Sequence, residues 1–144
     1  VDGLFDHVRL HKEPAVCGGC GAVFHDGRWA WAHAPEGVAK AECPACHRIR
    51  EQQPAGFITL KGARTPDERE ALVRLARNVE KHENSEHPLH RIIAIEQGAE
   101  EMLVTTTDTH LPQRIGESVR HAHKGTLGIV YGQDEYVVRV HWQR

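Results

Sequence analysis

Apolar residues are spaced differently in the two parts of the chain, and the change falls at Pro54-Ala55-Gly56, a run of turn residues. Before it they come in short groups. Val23-Phe24-His25 and Arg28-Trp29-Ala30-Trp31 flank the pair Asp26-Gly27, and Asp-Gly between aromatic-rich flanks predicts a hairpin. Residues 33–41 read as a loop, and Ala45 to Gln52, after Pro44 and before Pro54, read as a short helix. At the start, His7 and His11 stand at i and i+4. With Leu4, Val8 and Leu10 nearby and no Glu-x-x-His context, they suit a surface segment better than a metal pair.

Beyond the junction the periods lengthen. Phe57-Ile58-Thr59-Leu60 reads as a buried strand. Thr65 as N-cap, Pro66 at the first helical position and Glu68 completing a capping box begin a helix whose Leu72, Leu75, Ala76 and Val79 form one stripe. After Pro88 come two strands, residues 91–97 and 102–107, separated by a turn at Gly98-Ala99. Asp108 or Thr109 caps a second helix running to about His123, with Pro112 in its first turn. Leu111, Ile115, Val119 and Ala122 face inward, and Gly125 follows as the C′ residue. Strands at 127–131 and 136–142 end the chain, the last alternating cleanly through Tyr136, Val138, Val140 and Trp142.

The order over residues 57–131 is β-α-β-β-α-β, that of a ferredoxin-like fold, with an extra C-terminal antiparallel strand joined by a hairpin. The expected class is α+β. A small module at 1–53 precedes a ferredoxin-like domain at 54–144. Two helices would cover one sheet face and leave the other partly open to RNA, protein or a partner domain.

Composition narrows this picture. The 144 residues are 40% hydrophobic and 26% charged, and no apolar run is long enough to span a membrane. Eighteen Lys and Arg stand against 20 Asp and Glu, a formal net charge of −2, which argues against a generally basic nucleic-acid binder. Twelve histidines add positive charge only in mildly acidic or phosphate-rich surroundings.

The cysteines carry the strongest chemistry. All four lie in Cys17-Gly-Gly-Cys20 and Cys43-Pro-Ala-Cys46. Two Cys-x-x-Cys turns each place two thiolates at adjacent corners of a tetrahedron, so Cys17, Cys20, Cys43 and Cys46 are expected to hold one structural Zn²⁺. A redox dithiol gives the second pair no role. A knuckle, a hairpin and a second pair at a helix start resemble a treble-clef zinc fold. Metal-binding thiolates point to a reducing compartment, so a cytoplasmic location is expected.

Catalytic motifs do not appear. There is no Gly-rich phosphate loop, no Gly-x-Ser-x-Gly elbow and no His-Glu-x-x-His, and a closed four-thiolate shell leaves no position for a substrate water. The expectation is a binding protein, not an enzyme. His121-x-His123 and His87-x-x-His90, with Glu86 or Asp108, are the candidates for a second metal, although histidine pairs at element ends are usually capping or surface residues. Basic residues gather in three places: His47, Arg48 and Arg50 beside the second zinc loop; Arg114, Arg120, His121, His123 and Lys124 on or after the second long helix; and Arg139, His141 and Arg144 at the end. Facing one way, they would make a phosphate-binding surface; otherwise they serve solubility.

The stretches Cys-Pro-Ala-Cys-His-Arg-Ile-Arg (43–50), Pro-Ala-Gly-Phe-Ile-Thr-Leu (54–60), Glu-His-Pro-Leu-His-Arg-Ile (86–92) and Val-Thr-Thr-Thr-Asp-Thr-His-Leu (104–111) resemble a bacterial zinc-protein family. The resemblance covers most of the chain from about residue 15. That family is itself similar to the N-terminal part of the archaeal and eukaryotic large-ribosomal-subunit adaptor known as Nmd-three. This chain has a single four-cysteine set and none of the adaptor's later domains. The resemblance implies a ribosome-associated protein contacting ribosomal RNA or protein on the large subunit, at the subunit-joining face, in hibernation or maturation. His47, Arg48, Arg50, Arg114, Arg120 and Lys124 are then the expected phosphate contacts. The alternative is a zinc-stabilised protein–protein interaction module that binds no RNA.

Overall fold

A computed structural model describes residues 13–133 and 135–144, so the His7 and His11 pair lies outside the described residues. Three helices and two mixed sheets make these residues an α+β structure. The first sheet has the order β3-β2-β1-β4, from β1 (Ala15–Cys17), β2 (Val23–His25), β3 (Arg28–Ala30) and β4 (Ala39–Ala41). The expected hairpin is β2 and β3. Asp26 and Gly27 take φ of 53° and 77°, the left-handed pair that a two-residue turn with right strand twist requires, and Phe24 packs on Trp29 with ring centroids 5.2 Å apart. Residues 39–41, read above as loop, are strand because they pair in parallel with β1. Ala39-Lys40-Ala41 has no strand propensity of its own, so only the tertiary partner places it.

Helix α1 (Pro44–Glu51) begins at Cys43, whose thiol accepts the N–H of Cys46, and ends at Gln52, which takes the left-handed conformation with φ 52°. The chain then enters the second sheet. Its elements are β5 (Gly56–Lys61), α2 (Pro66–Glu86), β6 (Ile92–Gln97), β7 (Glu101–Thr106), α3 (His110–His123), β8 (Thr126–Tyr131) and β9 (Val138–Gln143). Thr65 caps α2 as expected, accepting the Glu68 N–H at 3.1 Å while Glu68 answers through its carboxylate.

The strand order is β6-β7-β5-β9-β8. The C-terminal strand is antiparallel to β8, as expected, but it does not extend the sheet at its edge: it lies between β5 and β8 and runs parallel to β5. Burial explains this. Val138, Val140 and Trp142 are 0–1% exposed, as suits an interior strand, whereas β8 carries Gly128 and the exposed Val130 and Tyr131 and tolerates the edge.

Helices α2 and α3 cover one sheet face, burying Leu72 and Ala76 with Leu111, Ile115 and Val119 against Ile58, Leu60, Val104, Val140 and Trp142. The α3 stripe ends at Val119; Ala122, expected inward, is exposed. Gly56 is forced by proximity, since a Cβ there would stand 2.2 Å from Pro112 Cγ and 2.3 Å from Thr106 Oγ1. On the opposite face lie Phe57, Thr59 and Lys61 of β5 and Arg139, His141 and Gln143 of β9, the alternate positions of strands whose other residues are buried.

Candidate metal centre and basic surface

The four cysteines converge. Cys17 ends β1, Cys20 lies in the turn after it, Cys43 caps α1 and Cys46 lies in its first turn. Sγ of Cys17 is 3.7 Å from that of Cys46, and Sγ of Cys20 is 3.7 Å from that of Cys43. A disulfide needs about 2.05 Å. Tetrahedral thiolates about 2.3 Å from a metal stand roughly 3.8 Å apart, so the spacing is that of a coordination shell. All four ligand atoms lie within 4.8 Å of one another.

Backbone geometry prepares these sulfurs for charge. The Cys43 N–H donates to Cys17 Sγ at 3.3 Å and the Cys46 N–H to Cys43 Sγ at 3.3 Å. Burial opposes the Cys17 thiolate, but N–H groups of Cys43, Cys20 and Gly19 outweigh it and bring its pKa to about 7. Burial pushes the Cys20 and Cys43 thiols up, and neighbouring thiolates push Cys43 further. Four sulfurs this close cannot all ionise unaided; a cation held between them would supply the missing charge.

Sequence reasoning missed Arg91. Its Nη1 donates to Cys46 Sγ at 3.2 Å, and the thiolates hold its guanidinium charged against the cost of burial. Thr107 fixes the backbone that presents it: the Arg91 N–H donates to Thr107 Oγ1 at 3.1 Å, and the Thr107 N–H donates to the Arg91 carbonyl at 2.9 Å. The one sequence signal was an arginine directly before the apolar Ile92-Ile93 at a strand start. The cysteine module meets the helical layer at two further points. Trp31 Nε1 donates to the Asn84 carbonyl of α2, and Leu89 packs on the Phe24 and Trp29 cluster.

The expected phosphate contacts are dispersed and mostly engaged. Arg50 clamps both oxygens of Glu42 at 2.9 Å and also reaches Glu51, while His47 Nδ1 lies 3.3 Å from Glu42. The Arg50 bonds, with help from His47, hold the Glu42 carboxyl below its usual range. Arg48 donates to the Gln53 carbonyl and lies 5.8 Å from the Tyr136 ring centroid. Arg114 pairs with Glu83 at 3.4 Å, and Lys124 Nζ bonds the His121 carbonyl. Arg120 is exposed and makes no ion pair among the described residues. Strand β9 links the scattered groups. Arg48 meets Tyr136 just before it, Arg139 lies 5.0 Å from the Phe57 ring centroid, and at the far end Arg144 bonds the His123 carbonyl beside Lys124. Arg114 is apart from this row.

The chain matches no protein-family model, no curated protein and no solved structure. No helix among the described residues is long and apolar enough to cross a membrane.

Proposed function

We propose that this is a cytoplasmic, ribosome-associated zinc protein that contacts ribosomal RNA on the large subunit, at the subunit-joining face, and acts in hibernation or maturation. The supporting observation is the row along β9: Phe57 with Arg139 above it, His141 beside it on the same face, and Arg48 and Lys124 at the two ends. An aromatic and cations on an exposed sheet face suit stacked bases and phosphates, and single-stranded RNA presents both. The row also answers the objection from net charge, because a local basic stripe needs no basic total.

In this reading the cysteine ion is Zn²⁺, since four thiolates in a tetrahedron select it among abundant divalent metals. The zinc is structural and the protein is not an enzyme. A treble-clef-like module then holds α1 rigid against a ferredoxin-like layer in which β9 is the inserted strand. Arg48 and Lys124 join Arg139 and His141 as phosphate contacts, Arg120 on the helix over the other sheet face would meet phosphate separately, and His47, Arg50 and Arg114 keep the acidic side chains Glu42 and Glu83 paired. A small factor seated on the joining face competes with the small subunit, which suits a role in resting or immature ribosomes.

Sedimentation of cell extract tests the reading. The protein is expected to travel with large subunits at low salt; remaining wholly at the top of the gradient in both growing and starved cells refutes it. A second reading, a protein-interaction module without RNA, is favoured by the edge strand β8, where Val130 and Tyr131 are 57% and 62% exposed. Salt separates the two, because phosphate contacts weaken steeply as it rises and an apolar interface does not.

A further inference from the structure

We propose that Glu83, His87 and His90 form a second metal site, for a divalent cation of the zinc class, with coordination positions left open to solvent. Glu83 and His87 are four residues apart at the C-terminal end of α2 and therefore share a face, with the His87 N–H bonded to the Glu83 carbonyl at 2.9 Å. The turn at Pro88 brings His90 back against them, its ring stacked on that of His87 with centroids 4.6 Å apart. One ligand atom from each of the three lies within 4.8 Å of the others. His90 Nδ1 is 3.3 Å from Glu83 Oε1, and ligands about 2.0–2.1 Å from a tetrahedral ion stand roughly 3.3–3.4 Å apart.

The surroundings are those of a built site. His90 Nε2 faces Asp108 Oδ2 at 3.4 Å, which places a proton on Nε2 and turns the Nδ1 lone pair toward the cation, the carboxylate–histidine–metal arrangement. Asp108 is itself fixed by the N–H groups of His110 and Leu111, at 2.8 and 3.1 Å. Its other oxygen is buried with no hydrogen-bond partner among the described residues, a cost to the ionised carboxylate that a cation held beside it offsets. Arg114 engages Glu83 Oε2 at 3.4 Å and leaves Oε1 for the metal. Two histidines and one carboxylate are three protein ligands, the number that leaves positions for water, unlike the closed cysteine shell. Glu83 and Asp108 are both buried, and His87 is exposed, so the site opens on one side only.

The competing arrangement is a proton in place of the metal, with a doubly protonated His90 between its two carboxylates. Metal counting on the full chain separates the two. Purified protein equilibrated with zinc buffered in the micromolar range is expected to bind two ions per chain. His87→Ala, at an exposed position, is expected to bind one, while its cobalt form keeps the intense thiolate charge-transfer band of the cysteine site. Asp108→Asn, which keeps an oxygen for the two N–H groups, is expected to weaken the second ion about 10–100-fold and leave the first unchanged. One ion per wild-type chain, or two in His87→Ala, overturns the proposal. The outcome does not depend on ribosome binding.

Discussion

Replacing Arg91 with Met keeps an apolar stem and removes a charged side-chain donor from a metal-site sulfur. Four thiolates around a divalent ion carry a net charge of about −2, and the Arg91 guanidinium, 3.2 Å from Cys46 Sγ, halves it. Two routes give the cost. A hydrogen bond to a charged group contributes about 1.5–3 kcal/mol net. Loss of an outer-shell partner weakens metal binding about 10–100-fold, or roughly 1.4–2.7 kcal/mol at 1.36 kcal/mol per decade. Their agreement predicts that Arg91→Met weakens metal binding at the cysteine site by about 10–100-fold. Competition against a chromophoric chelator measures it, with Arg69→Met as control, since the Arg69 side chain bonds the carbonyls of Gly98 and Ala99. An affinity within twofold of wild type for Arg91→Met refutes the reasoning.

Gly56→Ala is expected to destabilise the fold by roughly 1–3 kcal/mol, read as a lower urea midpoint, because Pro112 and Thr106 occupy the space of the new Cβ. Thr65→Ala removes the α2 cap and should cost about 1 kcal/mol by the same assay, with Thr65→Ser close to wild type. Glu42 sets a pH dependence whose sign follows from its depressed folded pKa. The stability it contributes is present above the ordinary glutamate range near 4.3 and is lost as pH falls through the lower folded value. Glu42→Gln should therefore be less stable than wild type at neutral pH and converge with it in acid, and a constant difference across that range contradicts the assignment.

The parts of the molecule that local chemistry specifies were legible in the sequence. Thr65-Pro66 with Glu68 announced α2, Asp26-Gly27 announced the hairpin and the two Cys-x-x-Cys turns announced the four-sulfur cluster, because each signal lies within a few residues of what it predicts. What stayed hidden depends on partners distant in sequence. Residues 39–41 become strand only beside β1, 22 or more residues earlier. The alternation in β9 showed a strand buried on one face but not which neighbours bury it, so its place between β5 and β8 was unread. Arg50 looked available for phosphate because its partner, Glu42, lies across the helix start. In the histidine cluster the carboxylates are Glu83 and Asp108 rather than Glu86, since His87 closes α2 and the residue four before it shares its face. His121 and His123 join no metal-ligating cluster among the described residues.

Binding of ribosomal RNA along the β9 row is the property on which the proposed function stands. The salt dependence of the protein's affinity for purified large ribosomal subunits tests it most directly, with wild type compared against Phe57→Ala/Arg139→Glu. For wild type, log K is expected to fall linearly with log salt, by about 0.7 per phosphate contact on single-stranded RNA. The double variant should bind more weakly with a shallower slope while retaining its zinc. An affinity indifferent to salt, or a double variant that binds as wild type does, contradicts it.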